Sequence, residues 1–125
     1  MGDFLYCIKG NLHHRLGDFE EAIKSYDRFL QKAGGEKLYR AFALEGLGYC
    51  FEGKKDYEKA IHAYQKILEI GENFRIADAH LALGRCYEKL GKNKEAIEQY
   101  KAFIMIAPKS MMANPVLRNI SSLEK

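Results

Sequence analysis

The sequence predicts an all-α fold, an α-α superhelix in which three helix pairs stack in a row and a seventh helix closes the C-terminal end. Three observations carry this expectation. Residues 41 to 74, "AFALEGLGYCFEGKKDYEKAIHAYQKILEIGENF", align without gaps with residues 77 to 110, "ADAHLALGRCYEKLGKNKEAIEQYKAFIMIAPKS", and share ten identities, among them Leu47/Leu83, Gly48/Gly84, Cys50/Cys86, Ala60/Ala96 and Tyr64/Tyr100. A third copy lies upstream in "GNLHHRLGDFEEAIKSYDRFL", where Gly10, Gly17, Phe19, Ala22, Tyr26 and Phe29 keep the same order; Gly10 precedes Gly48 by 38 residues, and Gly48 precedes Gly84 by 36. Within a unit the apolar residues fall into two runs at helical spacing, as in Leu44, Leu47, Gly48, Phe51 and then Tyr57, Ala60, Ile61, Tyr64, Ile67, Leu68, so each unit is two amphipathic helices. A fixed period of this size marks a repeat architecture.

The elements follow in order, within a single domain over 1–125: repeat 1 over about 3–36, repeat 2 over about 41–74, repeat 3 over about 77–110 and a capping helix over about 114–124. In the first unit, Gly17 suits the left-handed residue that closes a helix, and Asp18 with Glu21 has the spacing of a capping box. In the second, Gly48 and Ala60 are small where two helices must approach. Lys55 stands where the turn glycine is expected, so this turn is expected to bend differently, through Gly53. In the third, Gly91 closes the first helix, but Lys92 replaces the capping Asp and Asn93 the aromatic, so the second helix should start less firmly. Beyond Pro108, Asn114 as N-cap, Pro115 in the first turn and the stripe Val116, Ile120, Leu123 describe the helix that covers the third unit's apolar face.

The spacing of these residues resembles the tetratricopeptide repeat, an aromatic, Leu-Gly, Tyr, Ala, Phe and Pro signature over about 34 residues. The third unit matches best, with Leu83, Gly84, Tyr87, Gly91, Ala96, Tyr100, Phe103 and Pro108, although His80 replaces the opening aromatic. The second unit lacks the closing Pro, and the first has Lys9 and His13 where Leu and Tyr are expected. The resemblance covers about residues 3 to 110. It implies a right-handed solenoid that acts as a protein-protein interaction module, binding a peptide or helix of another protein in a concave groove.

Composition is consistent with a soluble chain. A 30% charged and 47% hydrophobic make-up is ordinary for a globular domain, and the net charge of +3 comes from bases and acids interleaved along the chain. Nucleic acid is therefore not expected as a partner, nor is direct membrane insertion, since the longest apolar run, "AFIMIA", is far below the roughly 20 residues of a span. Three cysteines, Cys7, Cys50 and Cys86, are an odd number without a C-x-x-C and read as small buried thiols. No phosphate-cradling, zinc-protease or nucleophile-elbow motif occurs, so the chain is not expected to be an enzyme, and no metal or cofactor is predicted. Adjacent His13 and His14 point about 100° apart on a helix and cannot readily share an ion. His80 is expected to fill core space, and His62 to sit on an outer face. The pattern "NIS" at 119–121 is set aside as a glycosylation site.

The groove residues follow from helical geometry as stripes beside the Leu-Gly core. They are Cys7, Asn11 and His14 in the first unit; Phe42, Glu45, Tyr49 and Glu52 in the second; and Asp78, Leu81, Arg85, Glu88 and Lys89 in the third. Tyr49 is the expected anchor, with Arg85 pairing a carboxylate or carbonyl of the partner. Four acids against two bases disfavour an acidic peptide. In the family's chaperone-tail mode, Lys, Asn and Arg project from the inner helices; the matching positions here are Cys7, Asn11, Gly46, Asp78 and Ala82, of which only Asn11 fits. The alternative is a structural scaffold, a segment of a longer chain or a homo-oligomer joined through Phe4, Leu5 and Ile8 of the uncapped first helix. A cytoplasmic setting is favoured, and similarity to bacterial envelope repeat proteins leaves a tethered or periplasmic one open.

Overall fold

The computed structural model describes residues 18–32, 36–70 and 76–125. Among them lie six helices and no strand: α1 (Phe19–Lys32), α2 (Lys37–Gly53), α3 (Tyr57–Ile70), α4 (Ile76–Lys89), α5 (Asn93–Ile106) and α6 (Ala113–Leu123). Extensive packing joins only neighbours in the chain, α1 to α2, α2 to α3, and so on to α6. That nearest-neighbour pattern is the signature of a solenoid, where each unit buries its apolar face on the next. The expectations for Phe4, Leu5, Cys7, Ile8, Asn11, His13, His14 and Gly17 fall outside the described residues.

Small residues let the helices close up, and tyrosines fill the space they leave. A Cβ built on Gly48 would come 2.3 Å from the Tyr64 ring, and one on Gly84 would come 2.3 Å from the Tyr100 ring. Both tyrosines belong to the second helix of the same pair. Tyr26 of α1 does the same between units, pressing on Gly46 of α2. Helix α2 is enclosed by α1 and α3, so Ala41, Ala43, Leu44, Glu45, Gly46, Leu47, Gly48 and Cys50 are all buried. The core continues through Tyr64, Ile67, Ala79, Leu83 and Cys86, and a second cluster of Ala96, Tyr100, Phe103, Val116 and Ile120 joins α5 to α6.

Two helix starts, those of α1 and α3, carry a side-chain capping acceptor. Asp18 Oδ1 accepts from the Glu21 N–H at 3.2 Å, and Asp56 Oδ1 from the Lys59 N–H at 3.3 Å, each satisfying a donor that the helix itself cannot. Lys92 offers α5 no side-chain cap. Helix α6 starts two residues earlier than an Asn114 cap implies. Its N-cap is Met112, which makes no side-chain cap, and Asn114 and Pro115 occupy the second and third helical positions. Pro115 is tolerated there because the first four N–H groups of a helix have no intrahelical acceptor. The stripe itself is in place, with Val116 and Ile120 buried and Leu123 packed beside them.

The α2–α3 turn also departs from expectation. It is not bent through Gly53, which remains the last helical residue with Phe19 against it. Lys55 itself adopts the left-handed conformation, φ 63°, as Gly91 does at φ 75°. The Asp56 N–H donates to Phe51 O at 2.8 Å and the Lys92 N–H to Tyr87 O at 2.9 Å, so both turns close in the same Schellman pattern. Equal turn length and the Asp56 cap hold the register and force the lysine to comply.

Two stability tests follow from this geometry. Left-handed backbone costs a non-glycine residue roughly 1–2 kcal/mol, so Lys55→Gly should raise the urea midpoint, and Gly91→Lys, where a Cβ meets nothing within 4 Å, should lower it through the backbone alone. Gly48→Ala should destabilise by about 1–3 kcal/mol, because the Tyr64 ring is fully enclosed and cannot yield; a neutral result in equilibrium unfolding would contradict the close approach.

Candidate functional site

Among the described residues, those expected to line a groove lie on α2 and α4. Tyr49 of α2 is half-buried, and its ring meets that of Tyr64 edge-on at a centroid separation of 6.1 Å and 70° between planes. The Arg85 guanidinium of α4 lies 6.0 Å from the Tyr49 ring centroid, within the range of a cation-π contact. Its Nη2 donates to Glu52 Oε1 at 2.9 Å and its Nε to Oε2 at 3.3 Å. Tyr64 OH donates to the same Glu52 Oε1 at 2.6 Å. Tyr49, Glu52, Tyr64 and Arg85 thus form one polar knot between the second and third pairs.

Glu88 repeats the arrangement one unit on. Its Oε1 accepts from Tyr100 OH at 2.8 Å and from Asn119 Nδ2 of α6 at 2.8 Å. The Asn of the "NIS" pattern is therefore engaged inside the fold. Burial first, then the hydrogen bond and charge of the neighbouring carboxylate, push the hydroxyls of Tyr64 and Tyr100 well above the ordinary tyrosine range. For Arg85, burial works against the charge, but the hydrogen bond and charge of Glu52 outweigh it and raise the pKa. Arg85 stays cationic in the knot.

These bonds redistribute the charges that the sequence assigns to the groove. Glu45 is buried at 8% exposure, Glu52 is spent on Arg85 and Tyr64, and Glu88 on Tyr100 and Asn119. Phe42 and Leu81 are half-buried, and Asp78 and Lys89 are exposed. The acidic balance read from the sequence is therefore directed largely inward.

A cleft of about 510 Å³ opens beside Arg85, between α4 and α6, with Tyr100 of α5 at its base. Leu81 and Arg85, both assigned to the groove stripe from the sequence, line it. Sequence reasoning missed Met112, Pro115, Val116, Arg118, Asn119 and Ser122, which line the rest, because it treated α6 only as a cover. A signal was present: Pro115, Arg118 and Ser122 each stand 37 residues after Asp78, Leu81 and Arg85. The stripe continues onto α6, which occupies the place of a fourth inner helix.

A larger cleft, about 700 Å³, lies between α1 and α3 over Leu44, Leu47 and Phe51 of α2. Helical geometry puts those three roughly opposite Phe42, Glu45 and Tyr49. Asp27, Arg40 and Lys66 stand in its lining, and His62, expected on an outer face, is exposed there. His80 is half-buried, its Nδ1 2.7 Å from Gln99 Oε1, so it fills space with its ring while bonding α5.

Neither described cysteine is an activated nucleophile. Burial pushes the Cys50 thiol up to about 11 and the Cys86 thiol up to about 12, leaving little of the thiolate that reacts. Among the described residues no three His, Cys, Asp or Glu side chains gather as a metal site, and no helix is long and apolar enough to cross a membrane.

Comparison with known proteins identifies the scaffold. Tetratricopeptide repeat family models match residues 4–73 and 77–110. The uncharacterized protein ycf37 of Cyanophora paradoxa is 30% identical over 105 residues, 84% of this chain and 60% of its own length. Photosystem I assembly protein Ycf3 of Prochlorococcus marinus is 30% identical over 89 residues, 71% of this chain and 50% of its own. The chain thus spans half to three fifths of these relatives. The solved second TPR domain of human RPAP3, in complex with an HSP70 peptide, superposes with a TM-score of 0.79 at 20% identity, covering 99% of each chain. The family is in general a non-catalytic interaction scaffold, and with its models spanning most of the sequence, this chain belongs to the tetratricopeptide repeat family and is a protein-interaction module.

Proposed function

We propose that the chain binds a segment of a partner protein, extended or helical, along the face shared by α2, α4 and α6, with the cleft between α4 and α6 as its principal seat. The observation that carries this reading is the cleft itself, a cavity of about 510 Å³ where an apolar wall of Leu81, Pro115 and Val116 meets the polar heads of Arg85, Arg118 and Asn119. Apolar walls with a few convergent polar groups are the usual make-up of a recognition site.

The residues divide into two roles. Arg85, Glu52 and Tyr64 preorganise the floor by bonding one another, so little ordering is left to occur on binding. Tyr49 supplies an aromatic surface whose ring is already held by Tyr64 and Arg85. Arg118, exposed on α6, is the charge open to a partner's carboxylate or carbonyl. This differs from the expectation that Arg85 makes that contact. Asp78, Phe42 and Lys89 extend the same face.

The relatives' names fit such a role without specifying it. An assembly protein, as Ycf3 is named, needs to hold a partner rather than transform it. The RPAP3 domain with its bound peptide is an example of a similar solenoid receiving a peptide. The chaperone-tail mode is not proposed here, because Gly46 is packed under Tyr26 and Ala82 is 1% exposed, so neither offers a donor to a carboxylate.

The test is a peptide selected from a random library against the chain, followed by amide chemical-shift mapping. Shifts should concentrate on Tyr49, Leu81, Arg118 and Asn119. Arg118→Ala should weaken binding about tenfold, the size of a typical side-chain anchor, while Lys66→Ala on the opposite face should leave it unchanged. Shifts confined to α1 and α3, with Arg118→Ala silent, would overturn the groove reading.

A further inference from the structure

A different surface draws attention at the C-terminal edge, where α5 turns into α6. Large apolar side chains exposed among the described residues are concentrated there: Met105 at 84%, Ile106 at 50%, Met111 at 95%, Met112 at 46% and Leu117 at 47%, with Tyr39 at 37% as the exception elsewhere. The turn that presents them is ordered by its own hydrogen bonds, Ser110 N–H to Ala107 O at 3.1 Å, Ala113 N–H to Ser110 O at 3.0 Å and Met112 N–H to Ser110 Oγ at 3.1 Å.

Charge coincides with this exposure. Of the chain's 20 basic and 17 acidic residues, positions 101–125 hold four bases (Lys101, Lys109, Arg118, Lys125) and one acid (Glu124), so residues 1–100 hold sixteen of each. The entire net charge of +3 therefore belongs to the segment that carries the exposed apolar tip. Lys101 is drawn to Glu124 at 3.7 Å, while Lys109, in the turn itself, and Lys125 are exposed. The balanced interleaving of bases and acids holds for the first hundred residues and fails in the last twenty-five.

We propose that this edge docks reversibly on an anionic lipid surface, Met105, Ile106 and Met111 entering the interfacial region while Lys109, in the turn between them, faces the headgroups. Apolar insertion combined with basic charge is the pairing that holds a protein at an anionic interface, where either alone is marginal. A lipid surface fits these side chains because Met105 and Met111 are almost fully exposed, at 84% and 95%. Met105, Ile106 and Met111 line neither the groove cleft nor the opposite one, and side chains this exposed suit a fluid layer that conforms around them. Flexible methionines add little cost on entering such a layer. The inference is independent of the groove reading.

Sedimentation with sucrose-loaded vesicles tests it, comparing pure phosphatidylcholine with phosphatidylcholine containing about 30% phosphatidylglycerol, an anionic surface on which each base near the interface is worth roughly fivefold in partitioning. The chain should sediment with the anionic vesicles only, and less at high salt. Lys109→Gln should lower partitioning about fivefold, and Met105→Ser with Met111→Ser about tenfold or more. Lys94→Gln, exposed at the far end of α5, should have no effect. Circular dichroism of each variant checks that the fold is retained. The proposal fails if anionic vesicles do not carry the chain down, if Lys94→Gln matches Lys109→Gln, or if the methionine variants bind as well as the parent. It also fails if sedimentation velocity shows a lipid-free dimer that Met111→Ser dissolves, since the tip would then be a protein contact.

Discussion

The fold depends on one contact made repeatedly: a tyrosine of the second helix lies where the first helix has a glycine, and its hydroxyl bonds a glutamate at the end of that first helix. Gly48, Tyr64 and Glu52 make it in the second pair, and Gly84, Tyr100 and Glu88 in the third. Each part needs the others. The missing side chain lets the ring reach a fully buried position, and burying its hydroxyl without a partner would cost roughly 1–3 kcal/mol. The glutamate satisfies the hydroxyl and thereby fixes how far the two helices slide.

The same carboxylates then join one unit to the next. Glu52 takes Arg85 from the following pair, and Glu88 takes Asn119 from α6. A ridge of polar bonds thus runs along the inner helices above the apolar core, and it forms the floor of the candidate groove. Packing and recognition share residues here. The consequence is that Glu52 and Arg85 are structural supports whose loss would disturb the site indirectly, whereas Arg118 stands free of that ridge at the cleft's open side.

Helix α6 has a double character. It covers the apolar end of α5 through Val116 and Ile120, as a terminal helix of a solenoid must. It also carries the groove stripe forward, with Pro115, Arg118 and Ser122 beside Leu81 and Arg85. Its N-terminal turn, together with the end of α5, gathers the exposed methionines around Lys109 at one edge. Two surfaces of different chemistry therefore flank a single short helix.

Local rules determined much of this from the letters alone. Period and apolar spacing located the helix pairs, and Asp18 and Asp56 stand where capping needs an acceptor, because these features depend on residues within one or two turns. The ten identities of the aligned units include Glu52/Glu88 with Tyr64/Tyr100, so even the repeated bond was written in the sequence, though its meaning was not. Tertiary structure decided the rest. Which way Arg85 and Glu52 point depends on partners 33 residues apart, and Lys55 rather than Gly53 takes the left-handed turn because Phe19 of another helix packs against Gly53 while Asp56 holds the register. The cleft beside α6 exists only once α4, α5 and α6 are stacked, since no single helix can enclose a cavity.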